Sequence, residues 1–165
     1  KESSMDLPAI IDLEASGFGR GSYPIEVGVR MTDGSVHAIL IKPAQGWDHW
    51  DESAEKIHGI SREHLAEHGK TVREVAISLN ELCRGLTVYS DAWSFDSSWL
   101  GRLYDEAEIV QRFKVDTLMR LLNEDELARW SDTKDAVVLE LELELHRAAN
   151  DVQVLSETFK RIKAG

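Results

Sequence analysis

Five residues could do chemistry together if the chain brings them to one place: Asp12, Glu14, Asp96, His146 and Asp151. Asp12 and Glu14 stand two apart at the end of Pro8 to Glu14, a short apolar run that reads as a strand. Alternate side chains of a strand leave the same face, so the two carboxylates can reach one point. Two acids held side by side repel each other and lose hydration unless something positive lies between them, which is how carboxylates come to hold divalent cations. Asp96 falls at the start of a predicted helix, Asp151 in the first turn of another, and His146 in the loop five residues before Asp151. Singly, each has an ordinary explanation: a solvated strand end, an acid complementing a helix N-terminus, a histidine on the surface or in the core.

The elements that must position these residues follow from periodicity. Gly17, Gly19 and Gly21 bound the first strand, and the apolar-rich segments Pro24 to Thr32 and Ser35 to Lys42 flank Asp33-Gly34, a strong hairpin signal. The first three strands are therefore expected to be antiparallel neighbours. Helical spacing then takes over, with a short helix over Ser61 to Glu67 and another opened by a Thr71/Glu74 capping box and ending before Gly85. Leu86 to Ser90 reads as a fourth strand and Phe113 to Val115 as a brief fifth. Between them Ser94 to Glu106 carries Phe95, Trp99, Leu100 and Leu103 on one helical face, which predicts a core position for Phe95. Thr117 to Leu122, Asp125 to Trp130 and a segment from about Ser131-Asp132 read as separate helices. Leu139 to Leu145 alternates like a strand, but good helix formers before it predict a helix ending within the alternation. A last helix spans about Ala148 to Ile162, with Val152, Leu155, Phe159 and Ile162 at three- and four-residue spacing. Pro43 to Glu55, with Trp47 and Trp50, reads as a loop that forms a lid or a partner surface. Antiparallel strands followed by strands alternating with helices predict an α/β mixed sheet.

Composition narrows the function classes. The 165 residues carry 19 Lys+Arg against 30 Asp+Glu, a net charge of −11, which argues against gripping long duplexes by neutralising many phosphates. No apolar run exceeds four residues, so no membrane span is expected. Cys83 is the single cysteine, which excludes an internal disulfide and a cysteine-based zinc site and fits a cytoplasmic protein. The start of the chain has no signal-peptide pattern; Lys1 to Ser4 precede Met5, so residues 1–6 are expected to be an N-terminal extension or tag remnant and residues 7–165 a single domain.

The ordered set of motifs resembles the DEDDh 3′→5′ exonucleases, the group that includes ribonuclease T, oligoribonuclease and polymerase proofreading subunits. Ile10-Ile11-Asp12-Leu13-Glu14 is similar to their first motif, Phe95-Asp96 with Trp99-Leu100 to the second, and His146 to Asp151 to the H-x4-D third. Ile57-His58-Gly59-Ile60-Ser61 and Pro24-Ile25-Glu26-Val27-Gly28 resemble two further family segments. Asp91-Ala92 departs from the Asn or His common before the second-motif aspartate, and Ser16 stands where a Thr is frequent. The resemblance implies a ribonuclease H-like five-stranded sheet flanked by helices. It implies two divalent cations, Mg²⁺ or Mn²⁺, on Asp12, Glu14, Asp96 and Asp151, with Asp12 bridging.

His146 is implied as general base, a role suited to histidine because the residue type changes charge near neutrality. The implied activity is hydrolysis at the 3′ end of single-stranded DNA or RNA, releasing nucleoside 5′-monophosphates. Ala15, Ser16 and Gly17 would meet the terminal sugar, His58 would lie on the substrate, and Ile60, Phe18 and Trp93 would pack on the last bases. The acidic charge favours short or single-stranded ends held locally. A homodimer or a polymerase-type protein partner is compatible with the resemblance. Two other functions remain open: an endonuclease acting on RNA–DNA hybrids, and a non-catalytic nucleic-acid-binding or adaptor domain.

Overall fold

A computed structural model describes residues 6–165; all but the last residue of the extension expected at residues 1–6 lies outside the described residues. Strand β1 (Ile10–Ala15) is apolar at every position but Asp12 and Glu14 and becomes the middle of a five-stranded sheet ordered β3-β2-β1-β4-β5. It pairs antiparallel with β2 (Pro24–Arg30), which pairs antiparallel with β3 (Val36–Leu40). The Asp33-Gly34 turn closes this hairpin: Met31 N–H donates to Ser35 O at 2.8 Å, and Asp33 Oδ1 accepts from the Ser35 N–H at 2.9 Å. On its other side β1 runs parallel to β4 (Thr87–Ser90), and β4 to β5 (Lys114–Thr117). The α/β mixed sheet is thus the expected one, three antiparallel strands and then parallel ones.

Alternation along β1 divides the helices between two faces. Ile11, Leu13 and Ala15 face a core built with α3 (Val72–Cys83) and α4 (Trp93–Ala107), through Val75, Leu79, Leu100 and Leu103. Ile10 turns the other way and packs under Val152 and Leu155 of α6 (Ala148–Ala164), whose apolar residues recur at helical spacing. Because Asp12 and Glu14 share the Ile10 side of the pleat, α6 is also the helix that approaches the two acids.

Three expectations need correction. The end of the segment read as a loop, from Glu52 to Glu55, is the start of helix α1 (Glu52–His58), capped by Asp51 accepting from Ser53 N–H, ahead of α2 (Arg62–His68). Only Ala54 and His58 of α1 are buried, too little periodicity to see in seven residues. Trp47 is not in an open lid but in the core. Trp47 is buried, stacked on Tyr23 and covered by the Arg102 guanidinium, while Trp50 donates to Glu55 Oε1 at 2.8 Å beneath Arg62. The three helices read between Thr117 and Leu141 are a 3₁₀ turn, Leu118–Leu121, followed by one continuous α5 (Glu124–Leu141). Ser131 and Asp132 look like caps in sequence, but both lie on the exposed side of α5 with no Gly or Pro to stop it. As expected, the helix ends inside the Leu/Glu alternation, at Glu142 in the left-handed conformation (φ 51°).

Among the described residues no helix is long and apolar enough to cross a membrane.

Candidate active site

The C-terminal ends of β1 and β4 open onto a cavity of about 270 Å³, where open parallel strands leave backbone ends and helix starts around a crevice. Asp12, Glu14, Asp96, His146 and Asp151 all line it. Asp12 and Glu14 arrive from β1, Asp96 from the first turn of α4, and Asp151 from the first turn of α6. Ser90, ending β4, holds Asp96 by donating its hydroxyl to Oδ2 at 2.6 Å. His146 has a left-handed backbone (φ 65°), and its N–H donates to Asp151 Oδ1 at 2.9 Å, so this carboxylate also fixes the loop that carries the imidazole.

Two contacts set α6 against the sheet. Glu26, buried on β2 opposite Glu14, accepts from both Arg147 Nε (3.1 Å) and Nη2 (2.9 Å) and from the Ala148 N–H at 2.9 Å, capping the helix start. Next to it a Cβ on Gly28 would lie 2.7 Å from the Ala148 carbonyl, so the absence of a side chain lets α6 descend onto β2. Gly28→Val should therefore lift the helix start and lower the unfolding free energy by about 1–3 kcal/mol, the usual cost of overpacking. Urea denaturation measures it, and a loss below ~0.5 kcal/mol, the range of an uninvolved surface position, would contradict this packing.

The carboxylates are crowded and dry. Burial pushes Asp12 well above the usual carboxylate range, and the charges of Asp96, Asp151, Glu14 and Asp91 push it further. Glu14 is raised to about 9, first by burial and then by its hydrogen bond with Asp151 and that residue's charge. Asp96 is raised to about 7 by burial, against the Ser90 hydrogen bond, which lowers it. Asp12 Oδ2 is buried and has no hydrogen-bond partner. Ligand atoms of Glu14, His146 and Asp151 lie within 4.8 Å of one another. An orphaned carboxylate oxygen, raised neighbours and an oxygen-rich donor set with one imidazole fit hard divalent cations.

Beside the acids the lining turns apolar. Phe18 and Phe95 are exposed and meet edge to face at 5.3 Å, above the buried Trp99 ring. Phe95 thus faces the cavity and not the core, because the first turn of α4 overhangs the strand ends. The Trp99 indole N–H donates to Ser22 Oγ at 3.0 Å and Arg102 to Ser22 O, tying the loop that bears Phe18 to α4.

Of the other residues expected at substrate, Ala15, Gly17, Phe18 and His58 line the cavity, whereas Ser16, Ile60 and Trp93 do not. Ser16 is buried, its hydroxyl paired with His49 Nδ1 at 2.8 Å and accepting from Tyr23 N–H. Ile60 is a core residue, and Trp93 donates its indole N–H to Val115 O at the sheet edge. His58 is buried and held neutral, since burial lowers its pKa more than Glu55 and Glu26 raise it. Its Nδ1 accepts from Ile60 N–H at 3.0 Å, and Nε2 has no partner. Lys134 of α5 also lines the site; nothing local in the sequence marks it.

No protein-family model and no curated protein matches this sequence. Solved structures do. Exonuclease I from Methylocaldum szegediense superposes with a TM-score of 0.69 at 17% identity, over 93% of this chain and 39% of that one. E. coli exonuclease I in complex with a dA16 oligonucleotide gives 0.72 at 13% identity, over 97% and 41%. The zinc-bound form of the E. coli exonuclease I–ssDNA complex gives 0.73 at 13% identity, over 97% and 41%. The chain has the ribonuclease H-like fold. It spans about two-fifths of the length of these exonucleases.

Proposed function

We propose that the chain is a divalent-cation-dependent 3′→5′ exonuclease of the DEDDh type acting on single-stranded DNA or RNA. One observation carries the reading: four carboxylates from three separate elements converge on one cavity, with a buried oxygen of Asp12 left unpartnered. Asp12, Glu14, Asp96 and Asp151 would hold the cations. Bound cations supply charge that orients the attacking water and stabilises the departing 3′-oxygen.

The remaining steps belong to side chains of this chain. Phe18 and Phe95 offer aromatic faces on which terminal bases would stack, beside the carboxylates that would receive the 3′-terminal phosphodiester. Backbone at Ala15 and Gly17 would adjoin the terminal sugar, with His58 lining the cavity beside them. His146 takes the proton of the attacking water on its ring, and the Asp151 carboxylate holds the loop that presents it. The apolar half of the cavity suits unpaired strands, because stacking needs a base free of its complement.

The test is incubation of 5′-labelled DNA and RNA oligomers with Mg²⁺ or Mn²⁺, reading products at single-nucleotide steps. Stepwise shortening blocked by a 3′-phosphate and silenced by EDTA is expected. Internal cutting of a circular single strand would assign the site to an endonuclease, and binding without cleavage to a non-catalytic module. Phe18→Ala and Phe95→Ala should each raise KM by roughly 5- to 100-fold, the range that loss of one stacked base spans, with the fold intact because both rings are exposed. Unchanged KM in both would remove the aromatics from the substrate site.

A further inference from the structure

The cavity holds one charged residue that the carboxylates and His146 leave without a task. Lys134, on α5, is the single Lys or Arg among the described residues that line it, opposite five acids. Its Nζ lies 3.5 Å from Asp91 Oδ2, and neither partner is fully buried, with side chains 36% and 22% exposed. An ammonium has no lone pair for a metal and repels one, so in a cavity suited to cations its own contribution must be to an anion that arrives with them. Asp91 stands next to Ser90, which anchors Asp96, so the ammonium is poised at the edge of the carboxylate cluster. A long, solvent-accessible ion pair on a flexible four-carbon stem exchanges partners readily.

We propose, resting on the nuclease reading, that Lys134 is a substrate-binding residue that leaves Asp91 to pair with a phosphate of the bound strand. Asp91 is then a placeholder: it keeps the ammonium near the cavity and away from the cation ligands when no strand is present. The exchange moves one cation from one anion to another, and it adds an attraction for nucleic acid to a protein whose overall charge of −11 repels it.

Steady-state cleavage of a 5′-labelled single-stranded oligonucleotide, at several salt concentrations, tests this. Lys134→Met should raise KM about tenfold, leave kcat within about twofold, and reduce the slope of log KM against log salt by about 0.7, the loss of one single-strand phosphate contact. Lys134→Arg should restore most of the affinity. Asp91→Asn should lower KM more in the parent than in the Lys134→Met background, a coupling that a mere strap between α5 and β4 would not produce. Parent-like KM and salt slope in Lys134→Met, in a parent that cleaves, would overturn the proposal and leave the nuclease reading standing. A lower melting temperature and kcat with an unmoved salt slope would also overturn it, in favour of a structural strap. A parent that neither binds nor cleaves the oligonucleotide would overturn both.

Discussion

Asp12→Asn should abolish hydrolysis and, in EDTA at pH 8, give a protein more stable than its parent. The two effects share a cause. In the folded state Asp12 lies well above the ordinary carboxylate range, Glu14 near 9 and Asp96 near 7, all raised first by burial. A carboxyl whose folded pKa is raised binds its proton more tightly in the native than in the unfolded chain. Its stability contribution is complete below the unfolded pKa and is lost as pH rises through the folded one. Without cations the parent should therefore lose stability as pH climbs from about 4 through 7 towards 9. Asp12→Asn keeps the side-chain volume and removes one of the repelling charges. It should raise the melting temperature at pH 8 by about 3 °C or more, what ~1 kcal/mol yields in a chain of this size. At pH 5, where the parent cluster is largely protonated, the gap should close. Mg²⁺ or Mn²⁺ should stabilise the parent most at the alkaline end and Asp12→Asn much less. Melting curves at pH 5 and 8, with and without EDTA, read all of this, and an advantage of Asp12→Asn over its parent no larger at pH 8 than at pH 5 in EDTA would mean that the cluster is not the crowded acidic set described; comparing the two proteins cancels the opposite contribution of buried His58.

Local patterns carried most of the architecture. β1 is legible because a buried central strand must be apolar on both faces, which also makes its two acids conspicuous. α6 is legible because Val152, Leu155, Phe159 and Ile162 keep strict helical spacing over a single buried face. What stayed hidden depends on partners far along the chain. Glu26 and Arg147 are 121 residues apart, and Asp91 and Lys134 are 43 apart, so no spacing rule links them. Phe95 shares a helical face with Trp99, yet that face is core only where something covers it, and at the first turn of α4 nothing does. Ser16 shows the converse: it follows the acids directly in sequence, yet its N–H donates to Tyr23 O and its hydroxyl pairs with His49, partners that no local pattern reveals. The convergence of Asp12, Glu14, Asp96, His146 and Asp151 is a tertiary property, and periodicity alone fixes only the element on which each one sits.

The role of His146 can be separated from that of its neighbour. Its imidazole is exposed and lies close enough to Glu14 and Asp151 to share a cation with them, so geometry permits a ligand as well as a base. If the ring removes a proton from the attacking water, His146→Ala should lower kcat by ~10²–10⁴-fold, the usual contribution of a general base, and leave Mn²⁺ affinity close to that of the parent. The left-handed backbone at this position adds a strain that must be controlled for. His146→Asn provides the control, since asparagine tolerates that conformation but takes up no proton. Equal losses in the two variants would assign the effect to the ring. Asp151→Asn should behave differently, because a neutral amide is a poor partner for a hard dication yet can still accept the His146 N–H; Mn²⁺ binding should fall while the loop holds its place. Calorimetric Mn²⁺ titration beside the kinetics decides the matter, and equal loss of Mn²⁺ binding in His146→Ala and Asp151→Asn would make the histidine a ligand, with the base to be sought elsewhere in the cavity.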